Sequence, residues 1–174
     1  MIYISRSIDY HIIVCTLSII AAWKWGDWRN WRLYYPTILY LIISDLIYRI
    51  ITYNYPLWTY ESPLLKTQLS GLLIDFTFFP ATVLLFVPYF TNSLWQMFNY
   101  TVAWVAIYTI WEGIAHHLSY LSYHHGWSIY WSIIVDIILF PSLYIHFRRP
   151  IAAWLIYFIT AIAIITIFRI PLVN

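Results

Sequence analysis

Apolar residues gather along the chain into six stretches, residues 8–23, 34–53, 69–87, 94–118, 127–147 and 151–170, each bounded by a polar or proline-marked break. Each is near the ~20 residues that a helix needs to cross the hydrocarbon core of a bilayer. The breaks, at 24–32, 54–66, 88–93, 119–126 and 148–150, suit connections between antiparallel neighbours and leave no room for a soluble domain. The pattern predicts an all-α integral membrane protein, a bundle of about six transmembrane helices forming one domain over residues 1–174. Residues 1–7 hold one Arg and the first stretch lacks a small-x-small cleavage site, so it reads as a retained helix and not as a signal peptide.

Composition narrows the function classes. Charged residues make up 9% of the chain, against roughly a quarter in soluble domains, which excludes a soluble enzyme and a disordered tail. The nine Lys and Arg are spread out, so no basic stripe exists to neutralise phosphates and no nucleic-acid partner is expected. The lone Cys15 excludes an intramolecular disulfide and a paired-thiolate metal site. With four glycines no phosphate-cradling loop can be built, and no Ser-His-Asp arrangement is present. Trp23, Trp25, Trp28 and Trp31 predict one interfacial belt, and Trp58, Trp127 and Trp131 the opposite one.

Lys24, Arg29, Arg32, Arg148 and Arg149 fall on the side of the first, third and fifth breaks, against Arg6, Lys66 and Arg169 on the other. That excess places the first side in the cytoplasm and both termini outside.

Two segments share a pattern. Asp75-Phe-Thr-Phe-Phe-Pro80 and Asp136-Ile-Ile-Leu-Phe-Pro141 both read Asp-x-x-x-Phe-Pro, and ahead of each stands an acid with a base four residues later, Asp45 with Arg49 and Glu112 with His116. This reads as a duplicated two-helix hairpin, residues 34–88 and 94–147, with the copies related by an axis along the membrane normal; the alternative is coincidence between short patterns. Counting 1.5 Å per residue from the helix ends puts Asp45, Asp75, Glu112 and Asp136 in one leaflet, with Asp9, His11 and Arg169 toward the same side. Carboxylates at that depth are costly unless paired or wetted, so the four acids are expected to converge on one polar cavity, with Arg49 and His116 nearer its mouth.

Pro80 and Pro141 lack an N–H and free the carbonyls of Phe76 and Ile137, each adjacent to its Asp. Carboxylate plus carbonyl suits a hard cation or hydrogen bonding, and His116, His117, His124 and His125 could add softer ligands. Plainer readings stand beside these: Asp45 with Arg49 as an intrahelical ion pair, Glu112 with His116 as a structural pair, and His124 with His125 as a solvated loop. Glu112 and His116 also have the spacing of two metal ligands on one helix face, so a divalent metal on Glu112, His116, His124 and His125 stays an alternative, and the sequence identifies no cofactor beyond it. Asp75 and Asp136, lacking a cation on their own helices, are read as a functional polar site.

The stretch 27–65, DWRNWRLYYPTILYLIISDLIYRIITYNYPLWTYESPLL, with IDFTFFPATVLLFVP and SYHHGW, resembles an uncharacterised family of small multi-pass membrane proteins of spore-forming Bacillus-like and clostridial bacteria. The resemblance covers most of the chain. It implies a bacterial cytoplasmic-membrane address and a sporulation setting, and no reaction. In Trp content and size the chain is also similar to the porphyrin-binding tryptophan-rich sensory proteins, in composition only, since their motifs are missing and six stretches stand here instead of five.

Three function classes remain. The acid-lined cavity binds or passes a small solute, cation or lipid headgroup; or the protein is an accessory subunit whose charges serve helix packing; or it is a membrane enzyme acting on a lipid or lipophilic substrate. An enzyme would use Glu112 or Asp136 as acid or base, with the His cluster holding metal or carrying protons. The bilayer is the one partner expected in every case.

Overall fold

The computed structural model describes residues 9–91 and 93–172. Ile8, where the first stretch begins, and Arg6, counted for orientation, lie outside them. Among the described residues there are six helical rods: α1 Tyr10–Trp25, α2 Trp31–Ile51, α3 Thr67–Tyr89, α4 Leu94–His117, α5 Ile129–Arg148 and α6 Pro150–Phe168. Every boundary falls close to the apolar stretch that predicts it, and among the described helices only α1 starts on a side-chain cap. Asp9 caps α1 by accepting from the His11 N–H at 2.8 Å. Pro150 opens α6 and Arg169, in the left-handed conformation at φ 50°, closes it.

The rod α3 is not uniform. An α-helical start, Thr67–Leu73, passes through a π-helical turn, Ile74–Phe78, before α-helix resumes at Phe79–Phe86 and a 3-10 turn ends it at Val87–Tyr89. The Phe79 N–H bonds Ile74 O, five residues back. Pro80 has no N–H to continue the ordinary ladder, and the wider turn sits immediately before it. Pro141 lies inside α5 without such a turn.

α1 packs on α3, α3 on α2, and α5 touches α2, α4 and α6, which makes α5 the centre of the bundle. Side chains close the seam between α3 and α4: the Phe86 and Tyr100 rings stack at 5.2 Å and the Thr82 and Tyr108 hydroxyls lie 2.6 Å apart.

The loops hold an element that the apolar pattern does not predict. The breaks after α2 and α4 emerge at the same end of the bundle, and short strands within them, β1 Trp58–Tyr60 and β2 Leu121–Tyr123, pair antiparallel with Thr59 opposite Ser122. Pairing satisfies backbone groups that two separate loops would leave open, and the aromatic and Thr residues suit strand geometry. The chain thus contains helix–strand–helix twice, α2–β1–α3 and α4–β2–α5. The start of α1 is clamped to this end: Asp9 accepts from the Ser62 hydroxyl, and His11 Nε2 lies 3.0 Å from Glu61 O and 3.1 Å from Tyr120 O. Two acceptors on one ring nitrogen require that it carry the proton.

The outer surface is apolar. Along α6, Ile151, Leu155, Ile159 and Ile162 are all more than half exposed. Four helices are long and apolar enough to cross a membrane: Trp28–Ile51, Thr67–Tyr89, Ile129–Arg148 and Pro150–Phe168. The expectation of six such helices is therefore met by four. α1 is apolar but has 16 residues, about 24 Å against the ~30 Å hydrocarbon core. α4 is long enough, but Gln96, Asn99, Glu112, His116 and His117 dilute it. Lys24, Arg29, Arg32, Arg148 and Arg149 are all exposed, and the alternating helix directions bring them to the end opposite the strands.

Candidate functional site

Between α2, α4, α5 and α6 lies a cavity of about 250 Å3, roofed at the strand end by Trp58, Tyr60, Leu121 and Trp127. The helices present it with residues at helical spacing: Tyr40, Leu41, Ser44, Asp45 and Tyr48 from α2, Ser132, Val135, Asp136 and Leu139 from α5, and Tyr157, Thr160, Ala161 and Ile164 from α6. Tyr108 and Glu112 complete it from α4. Most of the wall is hydrocarbon or aromatic ring. Three of the four acids singled out by sequence, Asp45, Glu112 and Asp136, line this one cavity.

Each of the three meets a different environment. Asp45 pairs with Arg49 on its own helix, Nε to Oδ2 2.7 Å. Glu112 accepts from the Tyr123 hydroxyl at 2.6 Å and the Ser132 hydroxyl at 2.5 Å, and Ser132 in turn accepts from the Trp127 indole N–H at 3.0 Å. Asp136 is 8% exposed and has no hydrogen-bond or ion-pair partner among the described residues.

The fourth acid stands apart. Asp75 is fully buried and does not line the cavity; Arg49 reaches across from α2 and its Nη2 pairs with Asp75 Oδ2. Asp75 thus has a cationic partner after all, supplied by the neighbouring helix, and one guanidinium serves Asp45 and Asp75 together. The approach depends on Gly71, where an added Cβ would collide with the Arg49 guanidinium. Phe76 and Ile137, whose carbonyls the prolines free, carry side chains more than half exposed, whereas Asp75 and Asp136 point inward.

Glu112 and His116 do not bond each other. The His116 ring stacks on Tyr123 at 4.4 Å and its Nδ1 lies 3.0 Å from Leu121 O, in the turn toward β2. His124 Nε2 is 2.9 Å from the Thr59 hydroxyl, which donates to Glu61 at 2.8 Å, so His124 supplies the proton in that contact. His125, left-handed at φ 53°, stacks on Tyr55 at 3.5 Å. The four residues considered for a metal are therefore engaged separately, and among the described residues no three His, Cys, Asp or Glu side chains gather as a ligand set.

Trp58 and Trp127 also depart from expectation. They turn inward over the cavity instead of belting the surface: Trp58 stacks on Tyr48 at 3.8 Å with rings 7° from parallel, and Trp127 is 6% exposed. Tyr48 holds the strand down by accepting from the Leu57 and Trp58 N–H groups at 3.1 and 3.3 Å. Trp23, Trp25, Trp28 and Trp31 are exposed as a belt requires. In the roof, burial and then the nearby Asp45 and Glu112 charges hold the Tyr60 phenol well above its usual range. Burial, followed by Glu112, does the same to Tyr123, so both remain protonated and Tyr123 stays a donor.

Sequence reasoning missed Gly71 and Ser132, each four residues before its Asp, and the aromatic wall of Tyr40, Tyr48, Tyr108 and Tyr157. The shared offset of Gly71 and Ser132 was the available signal. Comparison with protein-family models, with curated proteins and with solved structures finds no match to this chain.

Proposed function

We propose that this is an integral protein of a bacterial cytoplasmic membrane that binds a small solute in the cavity between α2, α4, α5 and α6, to hold it or to pass it across. The observation that carries the proposal is a cavity of about 250 Å3 whose largely hydrocarbon and aromatic wall holds three carboxylates, one of which, Asp136, has no partner among the described residues, inside a bundle whose exterior is rich in exposed apolar side chains. Asp45 and Glu112 have structural partners and Asp136 has none, and an unemployed carboxylate inside an apolar bundle marks a ligand or ion pathway. All six helices cross the bilayer in this reading, with Arg29 and Arg148 on the cytoplasmic side and His124 outside. The bacterial address in this proposal comes from the sequence resemblance alone, since no family model matches the chain.

One observation favours the accessory-subunit alternative: Asp45, Arg49 and Asp75 satisfy one another between α2 and α3 and need no ligand. The deciding experiment is native mass spectrometry of protein released gently from membranes that resist alkaline extraction. The wild type should carry a small bound molecule, and Ala161→Trp, which fills the cavity from α6, should lose it. Bare wild-type protein would leave the accessory reading ahead. Reporter fusions at Arg29, Arg148 and His124 test the orientation separately.

A further inference from the structure

Given that the cavity is a binding site, its wall selects the kind of solute. Arg49 is the one Lys or Arg among the described residues that is not exposed, and it is shared by two carboxylates. An anion would find no free counter-charge. A neutral apolar guest would seal Asp136, already 8% exposed, into hydrocarbon without a partner, which is costly. A hard metal ion wants six or more oxygen ligands. Here Glu112 is committed to two hydroxyls and Asp45 to Arg49, so Asp136 is the one carboxylate on the wall without a partner.

An organic cation meets every condition. Its carbon body can lie against Val135, Leu139 and Ile164, its charge can sit beside Asp136, and Tyr40, Tyr108 and Tyr157 make the same wall rich in aromatic side chains, the residue type that attracts ammonium groups. The size agrees as well, since a dry cavity of roughly 150 Å3 already holds benzene. We propose that the cavity takes a small organic ammonium ion, with Asp136 as its counter-charge and the aromatic wall as its cage.

Benzylamine, benzyl alcohol and benzoate are near in shape and differ in charge, and titration calorimetry reads the binding of each. Titrated into wild-type protein in detergent at neutral pH, benzylamine should bind about tenfold or more tighter than the alcohol, a factor that corresponds to one charge-assisted contact. Benzoate should not bind. Asp136→Asn should reduce the preference to within about threefold, and Ala161→Trp should abolish binding of both ligands. Asp136→Leu, which suits an apolar wall, replaces Asp136→Asn if the latter does not fold. Equal binding of amine and alcohol, both blocked by Ala161→Trp, overturns the ammonium proposal and keeps the cavity as a binding site. An amine preference that survives removal of the Asp136 carboxylate overturns the role of that residue. Binding of neither ligand, or binding indifferent to Ala161→Trp, overturns both readings.

Discussion

Asp75 and Asp136 stand in the same short pattern, each five residues before a proline in the second helix of a helix–strand–helix unit, and the bundle treats them oppositely. Asp75 is fully buried on a guanidinium from the preceding helix; Asp136 faces a cavity with no partner. The position four residues earlier makes the difference. In the first unit it is Gly71, whose missing Cβ lets Arg49 cross to Asp75. In the second it is Ser132, whose hydroxyl turns to Glu112, while His116, standing where Arg49 stands, bends away to Leu121 O. One unit has closed its acids into a helix clamp. The other has left one acid free, and a cavity remains beside it. The two units carry their acids and prolines at the same offsets and put them to different uses.

The comparison breaks most severely at Arg49. Arg49→Met leaves Asp45 and Asp75 buried without their cation, and removing one partner of a buried ion pair costs about 3–5 kcal/mol. Thermal unfolding in detergent should show that loss, with Arg49→Lys intermediate because a point charge cannot fork to two carboxylates. A methionine variant as stable as wild type would mean that the clamp carries no stability.

Gly71→Ala tests the same clamp from the other helix. Alanine in place of a helical glycine ordinarily gains about 0.5–1 kcal/mol, but here it pushes the guanidinium off Asp75, and overpacking of this kind costs about 1–3 kcal/mol. In the Arg49→Met background the crowding disappears and the substitution should become stabilising. A loss of equal size in both backgrounds would show that Gly71 is needed for some other reason.

What was legible in the sequence follows from the range of each interaction. The helices were legible because apolar runs between polar or proline-marked breaks depend only on neighbours in the chain. The gathering of Asp45, Glu112 and Asp136 on one cavity was legible because counting along the helices puts the acids at one level of the bundle, and a carboxylate turns away from an apolar exterior. The β1–β2 pair was not, since Thr59 and Ser122 meet only because two breaks emerge at the same end. The inward turn of Trp58 and Trp127 follows from that pairing and was hidden with it. Asp75 looked unpaired because its cation lies on another helix, and the spacing of Glu112 and His116 suggested a pair that the turn toward β2 takes apart.

A smaller effect is expected at Ser132. Ser132→Ala removes one of two donors to Glu112 and the acceptor of the Trp127 indole, for about 1–2 kcal/mol. Tyr123→Phe removes the other donor. The two losses should exceed their sum when combined, because the second leaves the buried carboxylate bare; strict additivity in a double-mutant cycle would show that Glu112 is solvated by something else.

The smallest change should come from Asp136→Asn. Asp75→Asn removes a charge that Arg49 is already compensating, so it breaks a formed interaction and exposes the cation to an imperfect partner. Asp136 has no such interaction to lose. Replacing a carboxyl group by an amide of the same shape should shift stability by less than about 1 kcal/mol, or raise it, because an uncompensated polar group in an apolar wall is itself a cost. Melting of the two variants side by side reads the difference directly. If Asp136→Asn were as damaging as Asp75→Asn, Asp136 would have to be holding the helices together, and the distinction between a clamped unit and an open one would fail.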